Sequence, residues 1–459
     1  MASAATEAQE SAPHHGYRAV WRWHFLAALW TAPFLILLTL SGAVYLFDLE
    51  FESWWNRESQ TVAAGTIALP LARQEALIKS AYPGGEIRRV RLPRGPQEAS
   101  IWTIQTRAGR TADVFLDPYR GTITGAQDPS VQPMAVVRRM HGTLLGGQIG
   151  SYIVELVACW TLVMMATGIW LWWPRRWKAK GVIVPRLSNS GRRFWRDLHS
   201  IPAIFNAVFV ILLVLTGLPW SAFWGPQFAK IGEVVPFVAI GPNFKAPPKA
   251  DGAATPDPHA VHRTQAADPK LPWAIQHSPL PAGSGAVGAG IGAGIADIER
   301  LLSMLDMPRW GGGVRIIYPR AAGDVFILSY VPHKAEGQRT VYLDPGTGRI
   351  LGNVGWPDYS PVAKAVEWGV MTHMGREYGL INQLANLAIC LVLAGSTVAG
   401  LTLWWKRRPK GKLGAPEPRH GERLPGAIKA LLTGLAILFP LVGASMVVVF
   451  ATRLMRQPA

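Results

Sequence analysis

Four histidines in this chain keep matched distances to glycine and tryptophan. The interval from His24 to Gly42, in an "LSG" triplet, equals the interval from His199 to Gly217, in "LTG". The intervals from His141 to Gly168, Trp172 and Trp173 recur unchanged from His373 to Gly400, Trp404 and Trp405. A lone histidine at a helix end is ordinarily an interfacial residue, and such residues have no reason to hold a register. Imidazoles on facing helices are what axial ligation of a haem iron needs, the second ring nitrogen of each being fixed by an acceptor. The register therefore predicts two ligand pairs, His24 with His199 and His141 with His373.

The glycines and nearby arginines fit the same chemistry. Gly42 and Gly217 fall beside the second pair, Gly168 and Gly400 beside the first. A missing Cβ lets a flat macrocycle approach the backbone; small-residue helix packing is the competing reading. Arg138 and Arg196 precede His141 and His199 by three residues, and Arg376 follows His373 by three. That spacing shares a helix face, where a guanidinium meets either a haem propionate or a lipid headgroup.

The elements that carry these residues are membrane spans. Of 459 residues, 49% are hydrophobic, 20 are Trp and only 16% are charged, which excludes an ordinary soluble domain. Apolar runs long enough to cross ~30 Å of hydrocarbon cover roughly 24–47, 151–173, 199–224, 381–405 and 426–451, and with their helix-opening residues the spans are set at 24–47, 141–173, 198–224, 371–405 and 426–451. The first is longer than a signal-peptide core and is read as a retained helix. Segments 174–197 and 406–429 hold eight Lys and Arg each. Such loops stay in the cytoplasm, so 1–23, 174–197 and 406–425 are cytoplasmic while 48–140 and 225–370 lie outside. The formal charge of +17 is largely this topology signal; no nucleic-acid motif is present. Cys159 and Cys390 fall within spans and read as packing residues.

The run from His141 to Trp173 is about 48 Å long as one helix. It is expected to project outward, with "HGTLLGGQIG" bending it and the second haem at or above the outer surface. Glu155, at that depth, needs a partner or a function.

The outer segments repeat as well. "PLARQEALIKSA" precedes IRRVRLP, ASIWTIQTR and TADVFLDP, then "YRGTITG". "IADIERLLSML" precedes VRIIYP, DVFILSYV and RTVYLDP, then "GTGRILG". A helix, three strands and an Asp-Pro turn recur, at Asp117-Pro118 and Asp344-Pro345, giving two small α+β domains. Residues 241–290, rich in Pro, Ala and Gly, read as a flexible insertion carrying His259 and His262, a possible metal pair or a solvated tail. The fold class is thus a mainly α membrane protein. A duplicated four-helix haem-binding core carries a fifth helix and two α+β outer domains.

Together these motifs resemble the PepSY-associated transmembrane proteins of bacterial iron uptake, across residues 17–408. The resemblance rests on paired "H…(L)(S/T)G" and "H…TG(I/L)xLWW" helices around small domains ending in "LDPxxG". It implies an inner-membrane ferrisiderophore reductase whose PepSY-like domains lie in the periplasm. Two bis-histidine haem b groups would then pass electrons to a ferric siderophore and release Fe²⁺. Substrate contact falls to the outer domains, with Trp54, Trp55, Trp310, Tyr318 and Arg320 as candidates. The cytoplasmic loops are too short for a nucleotide-binding βαβ unit, so a separate reductase, reduced flavin or quinol is the donor. Two other readings stay open: a cytochrome b module between quinol and a periplasmic protein, and a haem-free ligand-binding or transport protein.

Overall fold

The computed structural model describes residues 16–174, 177–188, 191–235, 271–276, 280–281, 283, 298, 302, 313–321, 323–414 and 424–454. In chain order the principal helices are α1 (Tyr17–Tyr45), α2 (Asp48–Trp55), α3 (Leu71–Ala81), α4 (Pro133–Thr143), α5 (Gly147–Trp172), α6 (Arg192–Gly217), α7 (Pro361–His373), α8 (Leu380–Arg407), α9 (Gly426–Leu438) and α10 (Pro440–Leu454). The strands are β1 (Glu86–Arg91), β2 (Ser100–Gln105), β3 (Thr111–Leu116), β4 (Ile123–Gln127), β5 (Arg315–Ile317), β6 (Phe326–Tyr330), β7 (Arg339–Leu343) and β8 (Ile350–Gly355). They form two compact units. One comprises Met1–Val44, Arg138–Phe223 and Ala385–Ala459; the other comprises Tyr45–Val137 and Trp224–Leu384.

The first is a membrane unit. Helices α1, α5, α6 and α8 are long and apolar enough to cross a bilayer. Large aliphatic side chains face outward, Val208 being 72% exposed, as suits a helix solvated by lipid rather than water. Hydroxyls inside the spans are satisfied by their own helix: Thr31, Thr39, Thr161 and Thr167 each donate to the carbonyl four residues back. Asn206 Nδ2 donates to the Ile389 carbonyl at 2.9 Å and ties α6 to α8. Glu155 is 2% exposed, and its Oε2 accepts the Phe223 N–H at 2.7 Å, fixing the chain where it leaves α6.

Three predicted spans change. The runs from 141 and 371 are broken: His141 sits in α4 and His373 ends α7, and α5 and α8 start afresh beyond them. Leu144, Leu145 and Gly147 at one break, and Gly375 and Gly379 at the other, all have positive φ, which ends a right-handed helix. The fifth run is not a straight helix either, because α9 and α10 are bent by 119°. Pro440 excludes Phe439 from the helical region. At 13 and 15 residues, roughly 20 and 22 Å, each half is too short to span. Trp160 Nε1 donates to Ser445 Oγ at 3.1 Å and seats the hairpin on α5.

The second unit is built on a sheet. The two predicted α+β domains share one antiparallel eight-stranded sheet, in the order β4-β3-β2-β1-β5-β6-β7-β8. β1 and β5 join the halves, with Val90 opposite Ile316. One face packs Ile78 of α3, with Ile298, against Trp102, Val114, Phe326 and Val341. Of the second predicted helix only Ile298 and Leu302 lie within the described residues. The Asp-Pro turns explain their motif: Asp117 accepts from the Tyr119 and Arg120 N–H groups, and Asp344 from the Gly346 N–H and Thr347 hydroxyl. Gly121 and Gly348 then close each turn at positive φ.

The predicted insertion 241–290 is partly core. Trp273, Ala274 and Ile275 are at most 1% exposed and pack on Ile317, Ile327 and Tyr342. A large aromatic within a Pro/Gly-rich composition is enough to anchor it. His259 and His262 lie outside the described residues.

Candidate functional site

His24 and His199 lie on α1 and α6, with ring centroids 6.3 Å apart and planes 66° apart. Metal–imidazole bonds of about 2 Å on opposite sides of one ion put ring centroids roughly 6 Å apart. The observed separation matches that of two imidazoles with a metal ion between them.

The tautomers follow from the partners. His199 Nδ1 lies 2.8 Å from the Ser396 carbonyl, and His141 Nδ1 lies 2.9 Å from the Leu38 carbonyl. A carbonyl only accepts, so Nδ1 carries the proton in both neutral rings. His24 Nδ1 lies 2.9 Å from Thr167 Oγ1, whose own proton is committed to the Val163 and Met164 carbonyls. Nδ1 must donate there too. Nε2 is then the lone-pair nitrogen in all three rings, the arrangement in which histidine ligates a metal.

The glycines seat these rings. A Cβ on Gly42 would stand 2.9 Å from His141 Cε1, one on Gly400 2.9 Å from His199 Nδ1, and one on Gly168 3.4 Å from His24 Cε1. The space that each missing Cβ leaves is filled by a histidine of the neighbouring helix. Gly217 is the last residue of α6. Sequence reasoning missed the hydroxyls immediately before two of these glycines. Thr167 receives His24, and Ser41 Oγ lies 3.3 Å from His141 Nδ1. The "SG" and "TG" pairs were the available signal; the backbone acceptors Leu38 and Ser396 left none.

His141 belongs to the membrane unit and His373 to the sheet unit. The arginines part company. Arg196 turns to Asp197, which is 1% exposed and also takes Arg186 through Nε at 2.7 Å and Nη2 at 2.9 Å. Asp197 is the sole acid in 174–197, and sequence reasoning overlooked it. Arg138 is exposed. Arg376 donates through Nη2 to Asp48 Oδ2 at 2.8 Å, while its buried Nε has no acceptor among the described residues. Burial pushes the Asp48 carboxyl up, and Arg376 opposes that shift. A buried guanidinium with a donor to spare suits an anionic group such as a propionate.

Of the suggested substrate contacts, Trp54 and Trp55 are 66% and 52% exposed on α2. Tyr318 is a core residue whose hydroxyl donates to Glu75 Oε2 at 3.3 Å; burial raises this phenol well above its ordinary range. Arg320 is exposed in a turn closed by Asp324. Trp310 lies outside the described residues. No group of three or more His, Cys, Asp and Glu side chains gathers for a metal ion among the described residues.

Residues 21–407 match the family described as the PepSY-associated TM region. The chain belongs to that family. No curated protein matches it. Within this PepSY-associated TM protein the match runs from α1 through α8, so it takes in all four histidines and leaves out the α9–α10 hairpin.

Proposed function

We propose that the protein carries electrons across the bacterial inner membrane and reduces a ferric siderophore in the periplasm. In this reading the basic loops face the cytoplasm, the sheet unit faces the periplasm, and two haem b groups are held by His24 with His199 and by His141 with His373. The donor is a cytoplasmic reductase, reduced flavin or quinol.

The observation that carries the reading is the His24–His199 pair, 6.3 Å between centroids with each Nδ1 held by a neighbouring helix. Haem, when bound, supplies a one-electron centre whose potential its axial ligands help to set. The chain's own residues do the positioning: Thr167 and the Ser396 carbonyl fix the ring planes, and Gly168 and Gly400 let the helices close on them. Arg376, braced by Asp48, supplies positive charge near His373 in the sequence.

Visible spectra of the detergent-purified chain, oxidised and reduced, with pyridine haemochrome quantitation, test this directly. About two haem groups per chain are expected, falling to about one in His199→Ala. Protein without a Soret band after expression with ample haem would overturn the reading.

A further inference from the structure

The halves of the sheet differ where their middle strands turn. β2 and β3 are joined by a short turn in which the Thr106 and Gly109 N–H groups bond back across it at 2.8 Å. Between β6 and β7 the chain runs through residues 331–338, with a 3₁₀ turn at Ala335–Gly337. Two buried carboxylates hold this longer loop. Glu377 accepts the Ala335 N–H at 3.0 Å, and Glu367 accepts Gln338 Nε2 at 3.0 Å and the Ala274 N–H at 2.8 Å. Burial pushes the Glu367 carboxyl up. Carboxylates are costly to bury, and two of them fix one surface loop in place.

That loop forms one wall of an open groove of about 910 Å³, with Asn353–Asp358 as the other wall. This is large enough for a bulky ligand rather than a bare ion. Trp356 lies in it half-buried, 6.1 Å from the Tyr359 ring, with Lys364 Nζ 5.9 Å from its centroid. Lys334 is exposed on the rim, and Arg339 is braced by Asn353 Oδ1 at 2.9 Å. Two acids line it as well: Asp358 is committed to the Gly355 N–H, and Glu336 is exposed as Lys334 is. Lys334 and Arg339 line the groove with the half-buried indole, and Lys364 lies over the indole ring from outside the lining; an aromatic with cations beside it suits flat rings that carry negative charge.

We propose that this groove docks a ferric chelate whose arms are anionic aromatic rings, catecholate or phenolate. Trp356 meets a ring face, and Lys334 and Arg339 meet the charge. The proposal rests on the reductase reading above and adds the chelate class and its place. Glu367 lies on α7, six residues before His373, and Glu377 lies four residues after it. The wall of the groove is thus bolted to the segment that carries His373.

The test is calorimetric titration of the full chain in detergent with gallium(III) tris(2,3-dihydroxybenzoate), which binds without being reduced, against neutral gallium(III) tris(acetohydroxamate). The catecholate is expected to bind about tenfold tighter, and Lys334→Glu and Trp356→Leu to weaken it by about tenfold each. Lys334 is exposed, so its variant folds. Equal affinity for both probes, or unchanged catecholate binding in Lys334→Glu, would overturn the proposal. A haem-loaded chain that ignores the catecholate loses the docking site alone; a haem-free chain that binds it loses the reductase reading alone.

Discussion

His141 and His373 stand at equivalent points of the two copies, and the chain leaves them by different means. After His373 it turns on Gly375 and Gly379, residues that take positive φ without strain. After His141 it turns on Leu144, Leu145 and Gly147, and the two leucines are the non-glycine residues at positive φ among the described residues. Gly147 and Gly379 hold the same place, six residues beyond their histidines. The first copy carries strain at two leucines, whereas the second makes its turn on glycines alone. Leu144 is held by packing with Leu35, Leu38 and Val157, and Leu38 is the residue whose carbonyl takes His141 Nδ1. Backbone strain is tolerated where the surroundings over-determine the conformation.

The sharpest way to break the equivalence of the copies is Trp273→Ala, which removes a buried anchor that only the second half possesses. It should destabilise the sheet unit by about 3–5 kcal/mol, read as an earlier thermal transition in detergent. A shift no larger than that of Trp54→Ala, an exposed position, would show that the segment is dispensable. Next in size are the glycines that seat the first pair. Gly400→Ala places a methyl 2.9 Å from His199 and should cost about 1–3 kcal/mol and, on the proposed function, lower haem content. Gly168→Ala, at 3.4 Å from His24, should be milder; equal effects would mean that the rings are not seated by contact.

Acid stability separates the halves with opposite signs. Burial pushes Asp117 up, but bonds from the Tyr119 and Arg120 N–H groups and the Arg120 guanidinium outweigh it and hold the carboxyl below its usual range. Its contribution is complete above the unfolded carboxylate pKa and is lost as pH falls through the folded value. Glu367 is raised, so its contribution is complete below the unfolded value and is lost as pH rises through the folded one. Melting temperature against pH should therefore fall less steeply on the acid side in Asp117→Asn, and decline less as pH rises above the unfolded carboxylate value in Glu367→Gln. The smallest effect expected is a gain: Leu145→Gly should stabilise by roughly 0.5–1 kcal/mol, strain relieved less the entropy that glycine brings.

The sequence was most readable where structure is local. The period of PLARQEALIKSA, the alternation in ASIWTIQTR and the Asp-Pro-x-x-Gly turns all appear as helix, strand and turn where expected. What escaped notice depended on distant partners. Nothing near Val90 announces Ile316, so two domains were expected where one sheet exists. Leucine is a poor candidate for a left-handed turn, so the break after His141 was assigned to the glycines alone. Pro440 did signal the bend at Phe439, but hydropathy drowned it. At the candidate site the register pointed to His24, His141 and His199, which lie against Gly168, Gly42 and Gly400 of neighbouring helices, whereas the carbonyls that set their tautomers carry no side-chain mark.

The strand pair that unites the sheet also sets an order of assembly. Val90 and its partner Ile316 are separated by nearly half the chain, with α5 and α6 lying between them. At ~5–20 residues per second, β1 waits roughly 10–45 s for β5 to be synthesised. During that interval β2, β3 and β4 can pair on one side of it, and its other edge stays open. An open edge is where stray strands add. Arg88, Arg89 and Arg91 along β1 are placed to repel such partners until the second half arrives.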